Sequence, residues 1–317
     1  MPDPLEHRHD HGHGHDHAHH AHGHAPSSFG RAFAVGIALN LVYLAVEAGF
    51  GVAANSLALI SDAAHNLGDV LALGAAWGAA ALSGRRPTAR YTYGFRRTSI
   101  MAALGNGAAL LIVTGGIALE AIMRLFQPEP THGTTVAMVA AAGIVVNGGT
   151  ALMFLSGRKR DLNIRGAFQH MATDALVSLG VVVAGVAILL TGWQWLDPAV
   201  SLAVSAVIVV STWELVREAV NLSLDAVPRG IDRAAVEAYL GTLPGVTDVH
   251  DLHIWGMSTT ETALTAHLIC AGDRIDSGLL PVVCAEVRRR FGIGHATIQL
   301  ETEELARQCE LRPDHVV

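Results

Sequence analysis

The sequence predicts an all-α transmembrane domain of six helices followed by a small cytoplasmic α+β domain. Three observations carry that prediction. Of 317 residues, 51% are hydrophobic and only 15% are charged, against about 25% charged in a typical soluble domain, so a lipid-facing surface is the economical explanation. Six apolar stretches follow one another at 32–53, 57–82, 98–124, 133–155, 166–190 and 196–214, each near the ~20 residues needed to cross a bilayer. From about Val227 onward charged residues become frequent and β-branched alternation appears, as in an aqueous domain.

The chain opens with a histidine-rich tail over 1–29. His7, His9, His11, His13, His15, His17, His19, His20, His22 and His24 alternate with Gly, Ala and Asp. The tract has no apolar run, so it is not a cleavable signal peptide. With nothing to bury, it is expected to be disordered. Such a tail either solubilises the terminus or collects metal through many weak sites.

The loops orient the six spans, predicted over 30–226. Those at 54–56, 125–132 and 191–195 carry no Lys or Arg, whereas the other two carry Arg85, Arg86, Arg90, Arg96 and Arg97, then Arg158, Lys159, Arg160 and Arg165. This alternation places both termini in the cytoplasm of an inner-membrane protein. Charges inside spans are expensive, so Glu47, Asp62, Asp69, Glu120 and Asp174 need reasons. Asp197-Pro198 is read as the start of the sixth helix, with Asp at the cap and Pro in the first turn.

In the domain predicted over 227–305, a helix is expected at 232–240 and strands at 246–255 and 261–269. A second helix at 278–291 and a strand at 296–302 complete an αββαβ order, with helices on one face of a sheet. Residues 306–317 read as a tail. Cys270, Cys284 and Cys309 form no CxxC pair and read as small buried hydrophobes rather than a disulfide framework.

The chemistry is concentrated in two fragments. SDAAHNLGDV in the second span gives His65-x-x-x-Asp69, and GAFQHMATDAL in the fifth gives His170-x-x-x-Asp174. Positions i and i+4 share a helical face, so each pair presents an imidazole beside a carboxylate. An unpaired Asp in a span costs at least ~2.5 kcal/mol, and the same pair occurs twice. Two nitrogens and two oxygens suit tetrahedral Zn²⁺; the set is too small and too nitrogen-rich for Ca²⁺ or Mg²⁺. The depths of the two pairs are in tension. His65 falls about 12 Å from the outer end of its span and His170 only about 6 Å from the inner end of its own. Co-planar ligation therefore needs different boundaries, or helices that tilt and extend beyond the lipid.

These motifs, together with SLALISDAAHN, YTYGFRR, the DP before the last span and the VHDLHIW strand, resemble the cation diffusion facilitator family, zinc-transporting branch. The likeness spans about residues 30–305. It implies a homodimer with six spans per protomer, a ferredoxin-like cytoplasmic domain similar to metallochaperones, and alternating-access exchange of Zn²⁺ for protons, with Cd²⁺ and Co²⁺ as further possible cargoes. His65, Asp69, His170 and Asp174 match the family's transport site. His250, His267, His295 and Glu301 fall at positions similar to its cytoplasmic zinc sites. Gln299 stands where some relatives place another ligand, so one zinc per protomer is expected. His253, three residues beyond His250, would face the opposite side of a regular strand. His132 and His315 are expected to be solvated.

Zinc requires neutral imidazole and ionised carboxylate, so its binding expels protons, and His65 and His170 can take them up again. Asp62, Glu47, Asn106 and Asn147 are read as supporting residues. The partners expected are a second copy, lipid and protons, with no nucleic acid. A ZIP-type importer shares the HNxxD fragment at His65–Asp69, but such proteins typically have eight spans and an HExxH-like helix. A zinc hydrolase needs an open coordination position, which four protein ligands would fill, so no enzyme is predicted. A non-transporting metal sensor would use the same residues.

Overall fold

The computed structural model describes residues 30–155, 162–272, 278–309 and 311; the histidine tail, His315 and the basic residues 158–160 lie outside them. Six long helices come first: α1 (Gly30–Ala53), α2 (Leu57–Ser83), α3 (Thr98–Phe126), α4 (Gly133–Phe154), α5 (Leu162–Thr191) and α6 (Leu196–Ser223). Among the described residues, four segments are long and apolar enough to cross a membrane: Thr98–Phe126, Gly133–Met153, Phe168–Thr191 and Leu196–Ser223. Ala38–Ala53 forms a shorter apolar helix, while α2 carries Asp62, His65, Asn66 and Asp69 within its length. Ile112, Val145, Leu190 and Val210 are all more than 70% exposed. Apolar side chains on the outside of a helical bundle suit contact with hydrocarbon rather than water.

Close approach within the bundle depends on small residues. A Cβ on Gly185 would meet the Ala137 backbone nitrogen at 2.7 Å, and one on Gly133 would meet the Gly185 carbonyl oxygen at 2.7 Å. Hence α4 and α5 pack backbone to backbone, as small residues allow between membrane helices.

Two boundaries differ from expectation. α5 begins at Leu162 rather than 166, and α6 runs to Ser223 rather than 214. Hydropathy ends at the first charges of α6, but the helix continues almost to Asp225, whose φ is +57°. Arg229 pairs with Glu214 at 2.7 Å and with Glu218 at 2.6 Å along this polar extension. Asp197 does not cap its own helix: Trp195 is at that position. The buried Asp197 carboxylate instead accepts from Ser56 Oγ, from Leu57 N at 2.7 Å and from Ala58 N at 3.4 Å. It satisfies the first amides of α2, where negative charge is favoured.

The second unit comprises α7 (Arg233–Gly241), β1 (Val246–Gly256), β2 (Thr262–Cys270), α8 (Leu279–Phe291), β3 (His295–Thr302) and α9 (Glu303–Gln308). The sheet order is β1-β2-β3, with β1 antiparallel and β3 parallel to β2. Val236 and Leu240 of α7 and Val283 and Val287 of α8 pack on Leu252, Ile254, Leu264 and Leu268, forming the core on one sheet face. The expected tail is helical at its start, because the Thr302 hydroxyl accepts from Leu305 N and caps α9.

The two units touch at the start of α3. Arg96 pairs with Glu261 at 2.6 Å and Thr259 N donates to Ser99 Oγ at 3.1 Å, while Arg97 pairs with Asp225 just after α6.

Candidate metal centres

The first centre lies between α2 and α5, which run antiparallel. Asp69 on α2 meets His170 on α5, and one turn back His65 meets Asp174. His65 Nε2 is 3.8 Å from Asp69 Oδ2 and 3.5 Å from Asp174 Oδ1. His170 Nε2 is 3.3 Å from Asp69 Oδ2 and 3.6 Å from Asp174 Oδ2. Donors on a tetrahedron with bonds of about 2.0–2.1 Å stand about 3.3–3.4 Å apart; the His170–Asp69 contact has that spacing, and the other three are slightly longer. Asp69, His170 and Asp174 offer atoms all within 4.8 Å of one another; His65 stands just outside that group, reaching Asp69 and Asp174 but with its ring centroid 6.2 Å from that of His170. Asp174 is 1% exposed, and neither of its oxygens has a hydrogen-bond partner among the described residues. Such a carboxylate is costly unless a cation or proton joins it. The earlier start of α5 puts His170 eight residues inside its helix, about 12 Å, which removes part of the depth tension.

Three of the residues read as supporting bond to α2 or α5 beside this centre. Asn106 Nδ2 donates to Gly68 O at 3.3 Å, beside Asp69. Glu47 accepts from Tyr43 OH at 2.6 Å and from Asn66 Nδ2 at 3.1 Å, and Ser178 Oγ donates to Asp62 at 3.3 Å. Asn147 is fully buried, and neither amide atom has a hydrogen-bond partner among the described residues. Glu120 pairs with Arg124 at 2.9 Å, on the helix surface rather than in this cluster.

The second centre lies on the sheet face away from α7 and α8. His250 pairs across the sheet with His267, and Glu301 lies on β3 opposite Ile269. His250 Nε2 is 3.5 Å from Glu301 Oε2, and His267 Nδ1 is 3.1 Å from Glu301 Oε1. The fourth donor is Cys309, whose Sγ is 3.7 Å from His267 Nδ1. His250, His267, Glu301 and Cys309 form one group within 4.8 Å. Apart from their mutual 3.5 Å contact, both ring nitrogens of the buried His250 and Glu301 Oε2 have no hydrogen-bond partner among the described residues. Two imidazoles, a carboxylate and a thiol match the donor types of a four-coordinate zinc site. Gln299 Nε2 donates to Glu301 Oε1 at 2.6 Å, so it orients this carboxylate.

Three sequence expectations change here. His295 does not join the group: it pairs with Ala263 at the opposite end of β3 and stacks edge-on against Tyr93, centroids 5.7 Å apart. Six residues of strand, about 20 Å, separate it from Glu301. His253 does not face away from His250. The register shifts between them, with Asp251 at φ +50°, so His250 pairs with His267 and His253 with Thr265, on the same face. A bulge resets the alternation. Cys309 is not a buried filler; α9 carries it back to His267. The capping pattern at Thr302 is the signal in the sequence that points to this turn. Cys270, by contrast, is a buried thiol, and desolvation pushes its pKa up.

The cation efflux transmembrane domain matches residues 33–222, and the cation efflux protein cytoplasmic domain matches 228–303. The chain belongs to the cation diffusion facilitator family. Among its relatives within that family, the metal cation efflux system protein CzcD of Cupriavidus metallidurans is 35% identical over 87% of this chain and 88% of its own. The cadmium, cobalt and zinc/H(+)-K(+) antiporter of Bacillus subtilis is 34% identical, covering 82% and 85%. The zinc transporter ZitB of Escherichia coli is 34% identical, covering 85% and 86%. This cation diffusion facilitator is thus an integral membrane protein of a metal efflux family, and the importer reading is not favoured.

Proposed function

We propose that the protein exports Zn²⁺ from the cytoplasm in exchange for protons, by alternating access, with Cd²⁺ and Co²⁺ as possible further cargoes. The observation that carries this reading is the convergence of His65, Asp69, His170 and Asp174, with neighbouring donors 3.3–3.8 Å apart. Two carboxylates balance the charge of the ion, and two imidazoles make the site selective for a zinc-like metal. Binding requires neutral imidazoles and so releases protons; their return from the far side displaces the metal.

In this reading the protein is a homodimer of a bacterial inner membrane, each protomer crossing six times and keeping both termini in the cytoplasm; the arginine-rich loops support the orientation and the matched cytoplasmic dimer domain supports the pairing. The domains are a histidine tail over 1–29, the spans over 30–226, a metal-binding domain over 227–305 and a terminal segment over 306–317. His250, His267, Glu301 and Cys309 hold one regulatory zinc per protomer.

The test uses reconstituted vesicles with a pH dye inside. Wild type is expected to couple zinc movement to proton movement, and Asp174→Ala to abolish both. Retained proton-coupled transport in Asp174→Ala would remove that residue from the pathway.

A further inference from the structure

Beside the metal clamp lies a second cluster of acids that the clamp does not use. Glu47 of α1 and Asp62 of α2 are both fully buried, and they share one pocket: Tyr43 OH, which donates to Glu47, and Ser178 Oγ, which donates to Asp62, both lie within 3 Å of the Cβ position of Gly143. Tyr43 OH and Asn66 Nδ2 donate to Glu47, while Ser178 Oγ donates to Asp62 Oδ2. Asp62 Oδ1 is buried with no donor among the described residues. The pocket is built closely: a Cβ on Gly143 would collide with Tyr43 OH and come within 2.9 Å of Ser178 Oγ.

The other titratable groups facing the pair are Tyr43 from α1, His65 from α2 and Asp174 from α5. From α4 come Gly143 and the Val139 carbonyl. Among the described residues, the ion pairs of His65 and His170 go to Asp69 and Asp174 and not to either of these acids. Two neighbouring carboxylates, buried with no cation at ion-pair distance among the described residues, are not both ionised in a dry interior.

We propose that Glu47 and Asp62 hold one shared proton, forming a counter-ion site separate from the metal clamp. The unpartnered Asp62 oxygen receives the proton's hydrogen bond from Glu47. Asp62 lies about one helical turn from His65, so a divalent ion arriving in the clamp favours loss of that proton to water. The coupling to metal rests on the transport reading above; the shared proton does not.

The experiment is infrared difference spectroscopy on the full-length protein, with zinc binding followed by calorimetry. Metal-free wild type is expected to show a protonated carboxylic acid band that shifts in D₂O. The band should be missing in Glu47→Gln and in Asp62→Asn. Zinc should remove it in wild type and release about one more proton per protomer than in Glu47→Gln. A wild-type spectrum without the band, or a band that survives in either variant, overturns the shared proton. A band that persists with zinc bound overturns the counter-ion role. Failure of zinc to bind wild type while the band is present would instead sink the transport reading alone.

Discussion

His65 Nε2 on α2 stands 3.5 Å from Asp174 Oδ1 on α5. The proposed ligand set is therefore shared between the two helices, each pair reaching the carboxylate of the other.

Replacing nitrogen by oxygen should change the metal. His65→Asp is expected to lower zinc affinity at least about 10-fold and to improve the relative binding of Mn²⁺, because carboxylates suit harder ions. Competitive metal titration of the purified protein measures both. An unchanged preference would remove His65 from the ligands.

Asp197 ties α6 to the start of α2. Asp197→Ala leaves Ser56 Oγ and two buried amides without this acceptor, and should cost about 1–3 kcal/mol. Thermal unfolding in detergent should show a lower midpoint than wild type.

Cys309 supplies the sulfur of the second centre. Cys309→Ser is expected to weaken zinc binding by the cytoplasmic domain about 10- to 100-fold, read by chelator competition. Asp174→Ala should leave this site unchanged.

Arg289 and Arg290 hold the Glu286 carboxyl at about 2, below its ordinary 4.5. Its contribution is complete above the ordinary value and disappears as pH falls through about 2. Glu286→Gln should therefore lower the melting temperature slightly at neutral pH and not at all at the acid end of that window.

Deleting residues 1–29 should reduce apparent zinc affinity while leaving maximal flux nearly intact. Vesicle uptake across a zinc series tests this, and abolished flux at saturating zinc would give the tail a larger role.

The long helices and the two His–Asp pairs are legible in the sequence because their signals are local: hydropathy marks the helices, and i, i+4 spacing sets each pair. What stays hidden depends on contacts distant in sequence. Asp197 reads as a cap for its own helix because sequence shows its neighbours, not Ser56. His253 reads as facing away because a bulge leaves little compositional trace. Cys309 escapes notice because only the folded turn after Thr302 returns it to His267. His295 groups with the other histidines on residue type alone, and strand length separates them.

Omit Asp251 and the strand from Val249 to Ile254 alternates inward and outward without a break. Asp251 is thus surplus to the sheet's metre, yet its carboxylate touches both His253, at 2.8 Å, and His267, at 3.6 Å. Shortening the strand by that residue would leave the hydrophobic layer in step while stripping His267 of the group that steadies its far nitrogen.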